Sequence, residues 1–414
     1  MGDFWWMSGK KSWKPVAVPD AAFSWVPFTV QKKGRTFRIN PSFDLLARSG
    51  ITVTKTYYVD KTNGNDTNSG LDWAHALKTL YEVNRYRTDA DRIYIRAGYY
   101  YYNETWSWPL NRNIQIIGDG GVYLTNDVGN EIGAFSASGN HYVATVGGSR
   151  TVLVVNDRLT LDAYGAPTRL VKKASEAEVD ATAGTWWQNG TTIYVRGFSD
   201  RAPDTSLYYT AVAGNIIGVT YTDRTYYLEN IILLGGINWV TSAPATAANL
   251  YVKNCSIYGP VLANGQNEII MQDVNVLPTG PTGDALNYSP AGGGPPSNVA
   301  EINVKAHNLS SGGSDQASTG HLATVIVRVG GEYFDSSGQN IADVSGCKTW
   351  VLGSLLHGSR TALVGFYSGG TAWLDSVTIS NNPTDIQNEA ACATYVRNLI
   401  SGGHNIIAGT LTTY

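Results

Sequence analysis

The chain has 414 residues and is sparsely charged: 15% are Asp, Glu, Lys or Arg, and the net charge is −3. No basic face invites nucleic acid, no acidic tail implies a basic partner, and no apolar stretch approaches the roughly 18 residues of a membrane-spanning helix. Forty-five Gly, 25 Tyr and 12 Trp, set among many Thr, Val, Ile and Asn, favour β-structure with frequent turns.

Residues 1–50 form a unit of their own. "FWWMSGKKSWKPVAVPDAAFSWVPF" is rich in Trp and Pro but has no period, and "KKGRTFRINPSF" follows it. Aromatics too large for so short a segment to bury point to docking against another chain, or to an arm folded over its own domain. From Thr52 the pattern turns regular. "TVTKTYYVD" alternates as a strand, "KTNGNDTNSG" is a loop, and "ALKTLYEVNRY" reads as a short amphipathic helix with Leu77, Leu80 and Val83 on one face. "RIYIRAGYYYY" and "RNIQIIGDGGVYL" are two further β-runs, so 51–135 reads as the start of a stacked body with a helix capping its end. Residues 136–208 read as a small β-rich insert, in which "AGTWWQNGTTIYVRG" is a hairpin turning at Asn189 and Gly190.

From 209 to 400 the chain repeats. The runs "YYLENIIL", "LYVKNCSI", "IIMQDVNV", "INVKAHNL", "VRVGGEYF", "TWVLGSLL", "AWLDSVTI" and "TYVRNLIS" align on bends at Asn230, Asn254, Asp273, Ala306, Gly331, Gly353, Ser376 and Asn398. Strands recurring at such a period mark a stacked β-solenoid. In this register Leu250 and Val252, Val327 and Val329, and Ala372 and Leu374 point inward before the bend; Cys255 and Ile257, and Val377 and Ile379, do so after it. A single rung buries one face and leaves its backbone edges open, so only a stack is stable. Residues 401–414 are left as a C-terminal tail.

"YYVDKTNGNDTNSG…ALKTL", "RIYIRAGYY" and rungs of the form "LYVKNCSI" resemble right-handed parallel β-helix proteins of the pectate-lyase-like class, and within it bacteriophage tailspikes and tail fibres. The resemblance covers about 52–400. It implies an all-β, right-handed, single-stranded parallel β-helix with an N-terminal capping helix. It also implies a homotrimer in a virion tail that binds, and often cleaves, host surface polysaccharide. Residues 1–50 would then dock on other tail proteins. The C-terminus departs from the pattern, because "SGGHNIIAGTLTTY" lacks the separate trimerising domain many tailspikes carry. The expected function is a tail fibre or spike that recognises host glycan. The alternatives are a polysaccharide depolymerase, hydrolase or lyase, on the same scaffold, and a purely structural tail-tip subunit.

Two constellations could carry that chemistry. Three residues before each assigned bend stand Tyr227, Tyr251, Ile270, Asn303, Arg328, Trp350, Trp373 and Tyr395, all outward by strand alternation. Trp350, Trp373, Tyr395 and Tyr251 are the candidate glycan-binding residues, since rungs about 4.8 Å apart would stack such rings into a ladder. The same ladder could instead meet a neighbouring subunit, or lie under the insert or the N-terminal arm. Acids also fall on successive rungs: Asp284, Asp315, Glu332, Asp335, Asp343 and Asp375. Hydrolysis needs two carboxyls, one held protonated; elimination needs a base such as His beside a uronate. Asp315, His321 and Asp343 are the candidate catalytic trio, weighed against the habit of Asp in Gly/Ser loops to cap turns. Cys255, Cys347 and Cys392 are far apart, and His residues are dispersed. No disulfide frame, metal site or cofactor is expected.

Overall fold

The computed structural model describes residues 12–414, except 102–110, 126–131, 153, 162–166, 201, 204–207, 212–214, 220–221, 241–247, 279–282, 291–293, 309–314, 382 and 404. The chain is a parallel β-solenoid of about 11 turns. One long parallel sheet climbs through Thr56–Val59, Arg92–Tyr100 and Ile114–Thr125, then Thr225–Leu234, Asn249–Lys253 and onward to Ala393–Arg397 and Thr410–Thr413. A second, nine-stranded parallel sheet runs from Asn215–Val219 to Asn405–Ile407. Between them, short strands such as Lys305–His307, Glu332–Phe334 and Leu355–His357 follow each bend. Segment 401–414, read from sequence as a tail, thus adds strands to both sheets.

The bend is a single left-handed residue per rung. Positive φ occurs at Asn230, Asn254, Asp273, Asn303, Gly330, Gly353, Ser376 and Asn398. Small or amide side chains tolerate that region best. The amides also bond along the stack, Asn254 Nδ2 to Asn230 Oδ1 at 2.6 Å and Asn303 Nδ2 to Asp273 Oδ1 at 3.0 Å. Two bends therefore differ from the sequence reading: Asn303 replaces Ala306, and Gly330 replaces Gly331. An odd register shift sends every side chain to the opposite face. Val252 and Leu374 line the interior, but Val327 and Val329 point outward under the arm, and Arg328 points in.

The chain leaves the stack after Thr125, rejoins the second sheet at Asn215 and the long sheet at Thr225, where Thr225–Leu234 pairs directly with Ile114–Thr125. Between them, a five-stranded sheet built on the Thr185–Asn189/Thr192–Arg196 hairpin has its own core around Val155, Trp186 and Ile193. The helix Leu80–Tyr86 is capped by Thr79, whose hydroxyl accepts from Glu82 N, and it buries Leu80 and Val83 in the solenoid core. Among the described residues no helix is long and apolar enough to cross a membrane.

Residues 12–50 fold over the chain's own solenoid. Strands Lys14–Pro15, Val30–Lys33 and Thr36–Ile39 make a small antiparallel sheet. Phe23, Phe28, Val30, Phe37 and Leu45 bury against the outer face of the long sheet, on Tyr227, Tyr251, Ile270, Val327, Trp350 and Trp373. Ion pairs fix this roof: Arg48 to Glu268 at 2.5 Å, Lys348 to Asp20 at 2.9 Å, and Lys32 to Asp375 at 2.8 Å. Residues 1–11, the rest of the segment read as a docking arm, lie outside the described residues.

Candidate functional site

The outward column of the long sheet, in observed register, reads Tyr227, Tyr251, Ile270, Ala300, Val327, Trp350, Trp373 and Tyr395. Most of it lies under the arm. Tyr251 is buried, donates its hydroxyl to Glu268 Oε1 at 2.8 Å, and sits beneath an ion pair made by Arg48. No sugar can reach it there, which corrects its place among the glycan-binding candidates. Phe23 covers Trp350 and Trp373, with ring centres 5.7 and 5.6 Å away.

At the C-terminal end of the column the roof stops. A cleft of about 470 Å³ opens between Ala17, Val18 and Pro19 of the arm and Trp350, Trp373, Tyr395, Arg397 and Tyr414 of the last rungs. Trp373 and Tyr395 are stacked at 5.5 Å with planes 13° apart, the spacing that successive rungs impose. Tyr414 meets Tyr395 edge-on at 6.4 Å, and the Arg397 guanidinium lies 4.7 Å over the Tyr414 ring. Burial pushes the Tyr414 phenol up to about 12. Three of the four aromatic candidates thus border one cavity. Sequence reasoning missed Arg397 and Tyr414, although both were in reach. Arg397 lies two residues after Tyr395 on the same alternating face, and Tyr414 becomes visible once the last segment is read as a rung.

The proposed trio does not converge. Asp343 points into the solenoid, where it is buried and accepts from Arg328 Nη1 and Nη2 at 2.8 and 3.0 Å and from Gly320 N at 2.9 Å. A carboxylate so enclosed cannot meet a polysaccharide. His321 lies on the outer side, where its Nε2 is 3.3 Å from Asn287 Nδ2; that amide donates to Asp284 Oδ2 at 2.8 Å. Asp284 Oδ1 also accepts from Gln316 N at 2.9 Å, whereas the backbone carbonyl of Asp315 accepts from Gly338 N at 2.9 Å. Burial raises the Asp284 pKa above the usual carboxylate value despite these bonds. The outer face here therefore joins Asp284 and His321 through Asn287, with Asp284 in the place Asp343 was meant to take. Gln316, Gln339 and Tyr367 extend it over the next rungs through bonds of 2.9 and 2.8 Å. Among the described residues no group of three His, Cys, Asp or Glu could hold a metal ion.

No family model matches the sequence, and no curated protein is similar to it. The solved structure of XylC with xylose is similar in fold, with a TM-score of 0.53 at 12% identity over 87% of this chain and 70% of that one. The chain is a parallel β-helix. A structure described as a glycoside hydrolase gives 0.48 at 12% identity, over 87% and 96% of the two chains. The lacto-N-biosidase of Eubacterium ramulus gives 0.26 at 10% identity, over 87% and 68%. At 12% identity the XylC structure shares the fold alone with this β-helix, whose function has to be argued from its own side chains.

Proposed function

We propose that this β-helix binds polysaccharide, seating sugar rings in the cleft against Tyr395, Tyr414 and Arg397, with the buried Trp350 and Trp373 as its floor. The observation that carries this is the parallel Trp373–Tyr395 stack bordering an open cavity. Flat aromatic faces take the C–H faces of pyranose rings, and the neighbouring guanidinium can bond hydroxyls. That the XylC structure holds xylose on the same fold is in keeping with this reading. The sequence resemblance supplies a setting: a phage tail fibre or spike, assembled as a homotrimer, in which residues 1–11 would be the part left for docking on other tail proteins. Affinity electrophoresis or calorimetry against a panel of bacterial surface polysaccharides tests the proposal. Trp373→Ala is expected to weaken binding at least tenfold, which corresponds to about 1.4 kcal/mol. Unchanged binding would remove the cleft as the site.

A second reading, cleavage of the bound glycan, is favoured by Asp284. A carboxyl whose pKa burial raises, within reach of an imidazole through one shared amide, is suited to donate a proton to a glycosidic oxygen. Reducing-end release from a glycan that binds, lost in Asp284→Asn with binding retained, is the expected result. Binding without release at any pH between about 4 and 7 would leave the protein an adhesin.

A further inference from the structure

The charged side chain that lines the cleft is Arg397. Arg397 follows Asp375 in register on the outward face, and its Nε and Nη2 both donate to Asp375 Oδ2, at 3.0 and 2.6 Å. Lys32 of the arm holds the other oxygen at 2.8 Å. Asp375 is fully buried between them, whereas the Arg397 side chain remains 40% exposed. Arg397 Nη1 has no hydrogen-bond partner among the described residues. One edge of a planar fork is thus clamped, while Arg397 itself lines the cavity. Around it, Lys32, Arg35, Lys348 and Arg397 stand against Asp20 and Asp375; Arg35 Nη1 donates to Asn398 O at 2.5 Å, and Lys348 pairs with Asp20. These four cations outnumber the two carboxylates, in a chain whose overall charge is negative.

From this geometry we infer that the cleft selects acidic polysaccharides, placing a sugar carboxylate on the free edge of Arg397 while the ring lies against Tyr395 and Tyr414. The inference rests on glycan binding in the cleft. A pre-oriented guanidinium that matches a carboxylate with two parallel bonds loses little freedom on binding, and the aromatic walls exclude water from the pair. A neutral sugar would leave that edge facing only hydroxyls.

The test uses the full chain and four acidic polymers: alginate, polygalacturonate, hyaluronan and polysialate. Each is compared with its carboxyl-reduced form and with neutral dextran. At least one acidic polymer is expected to bind about tenfold or more tightly than its carboxyl-reduced form, and added salt should narrow the gap. The reduced-ligand comparison leaves the protein unaltered, so it does not depend on whether Arg397→Gln folds. Arg397→Lys keeps the charge but lacks the fork, and should recover only part of the preference. If reduced and acidic forms bind alike and Trp373→Ala weakens both, selection for acid fails while glycan binding stands. If no polymer binds, or Trp373→Ala changes nothing, the cleft itself is wrong and this inference falls with it.

Discussion

At the residue scale, the unexpected feature is a charged cluster inside the apolar column. Glu301 and Arg328 occupy consecutive inward positions, and both are fully buried. Arg328 reaches Asp343, Thr349 Oγ1 at 2.7 Å and Ser318 Oγ at 2.9 Å; Glu301 accepts from Ser318 Oγ at 2.7 Å and from the Tyr333 hydroxyl. Burial alone would lower the Arg328 pKa, but Asp343 and Glu301 raise it on balance, and burial with Glu301 keeps Tyr333 protonated. The guanidinium is therefore the charge that makes two buried carboxylates tolerable. Arg328→Met would strand both, and a loss of about 3–5 kcal/mol in unfolding free energy is expected from urea titration. A loss below about 1 kcal/mol would mean that water reaches the cluster and compensates. None of this was legible beforehand. A bend set at Gly331 turns Arg328 outward, and Asp343 joins the candidate trio for its place within a loop or a rung of Asp315 and His321; the observed bend at Gly330 puts Arg328 inside. The cysteines were easier: Cys255, Cys347 and Cys392 are free and buried, as small apolar residues in isolation should be.

At the element scale, the repeat was readable where bend chemistry was unambiguous and failed where it was not. Asn230, Asn254 and Asn398 each stand alone in their runs as the residue best able to take positive φ, and each is the observed bend. In "VRVGGEYF" two adjacent glycines compete, and the bend takes Gly330, the first. In "INVKAHNL" the small Ala306 drew the assignment away from Asn303, which is the left-handed residue. Those slips, of one and three residues, turned the predicted faces over between Asn298 and Val329. They also hid that Val325, Val327 and Val329 form an apolar outer face needing a roof. Three outward valines in a row are the local signal that the arm lies here. The candidate cleft was half visible for the same reason. Its aromatics follow from register alone, whereas its second wall, Ala17 to Pro19, comes from a segment some 330 residues distant in sequence.

At the scale of the whole molecule, the N-terminal arm and the C-terminal rungs make the cleft together, so the conditions that hold the arm should govern binding. Its anchors are partly titratable. Hydrogen bonds from Ala22 N and Lys348 hold the Asp20 carboxyl below its usual range; for Asp375, burial acts upward but Arg397 and Lys32 outweigh it, and its pKa is also lowered. A carboxylate whose folded pKa is depressed contributes stability that is present above the unfolded value, about 3.9, and is lost as pH falls through the folded value. Arm docking is therefore expected to hold unchanged from pH 7 to about 5 and to weaken progressively below about 4. Protonating Asp375 would leave Lys32 and Arg397 facing each other without their shared counter-charge. Salt at neutral pH should have a smaller effect, because the Asp375 carboxylate is buried even though Asp20 and Lys348 are partly open to solvent. Hydrogen exchange of Val30–Lys33 and Thr36–Ile39, followed with the glycan affinity, reads this out. The two should fall over the same acidic interval, ahead of exchange in the rungs themselves. Arm amides still protected at pH 2, with affinity lost, would assign the acid sensitivity to the ligand's own carboxylates instead.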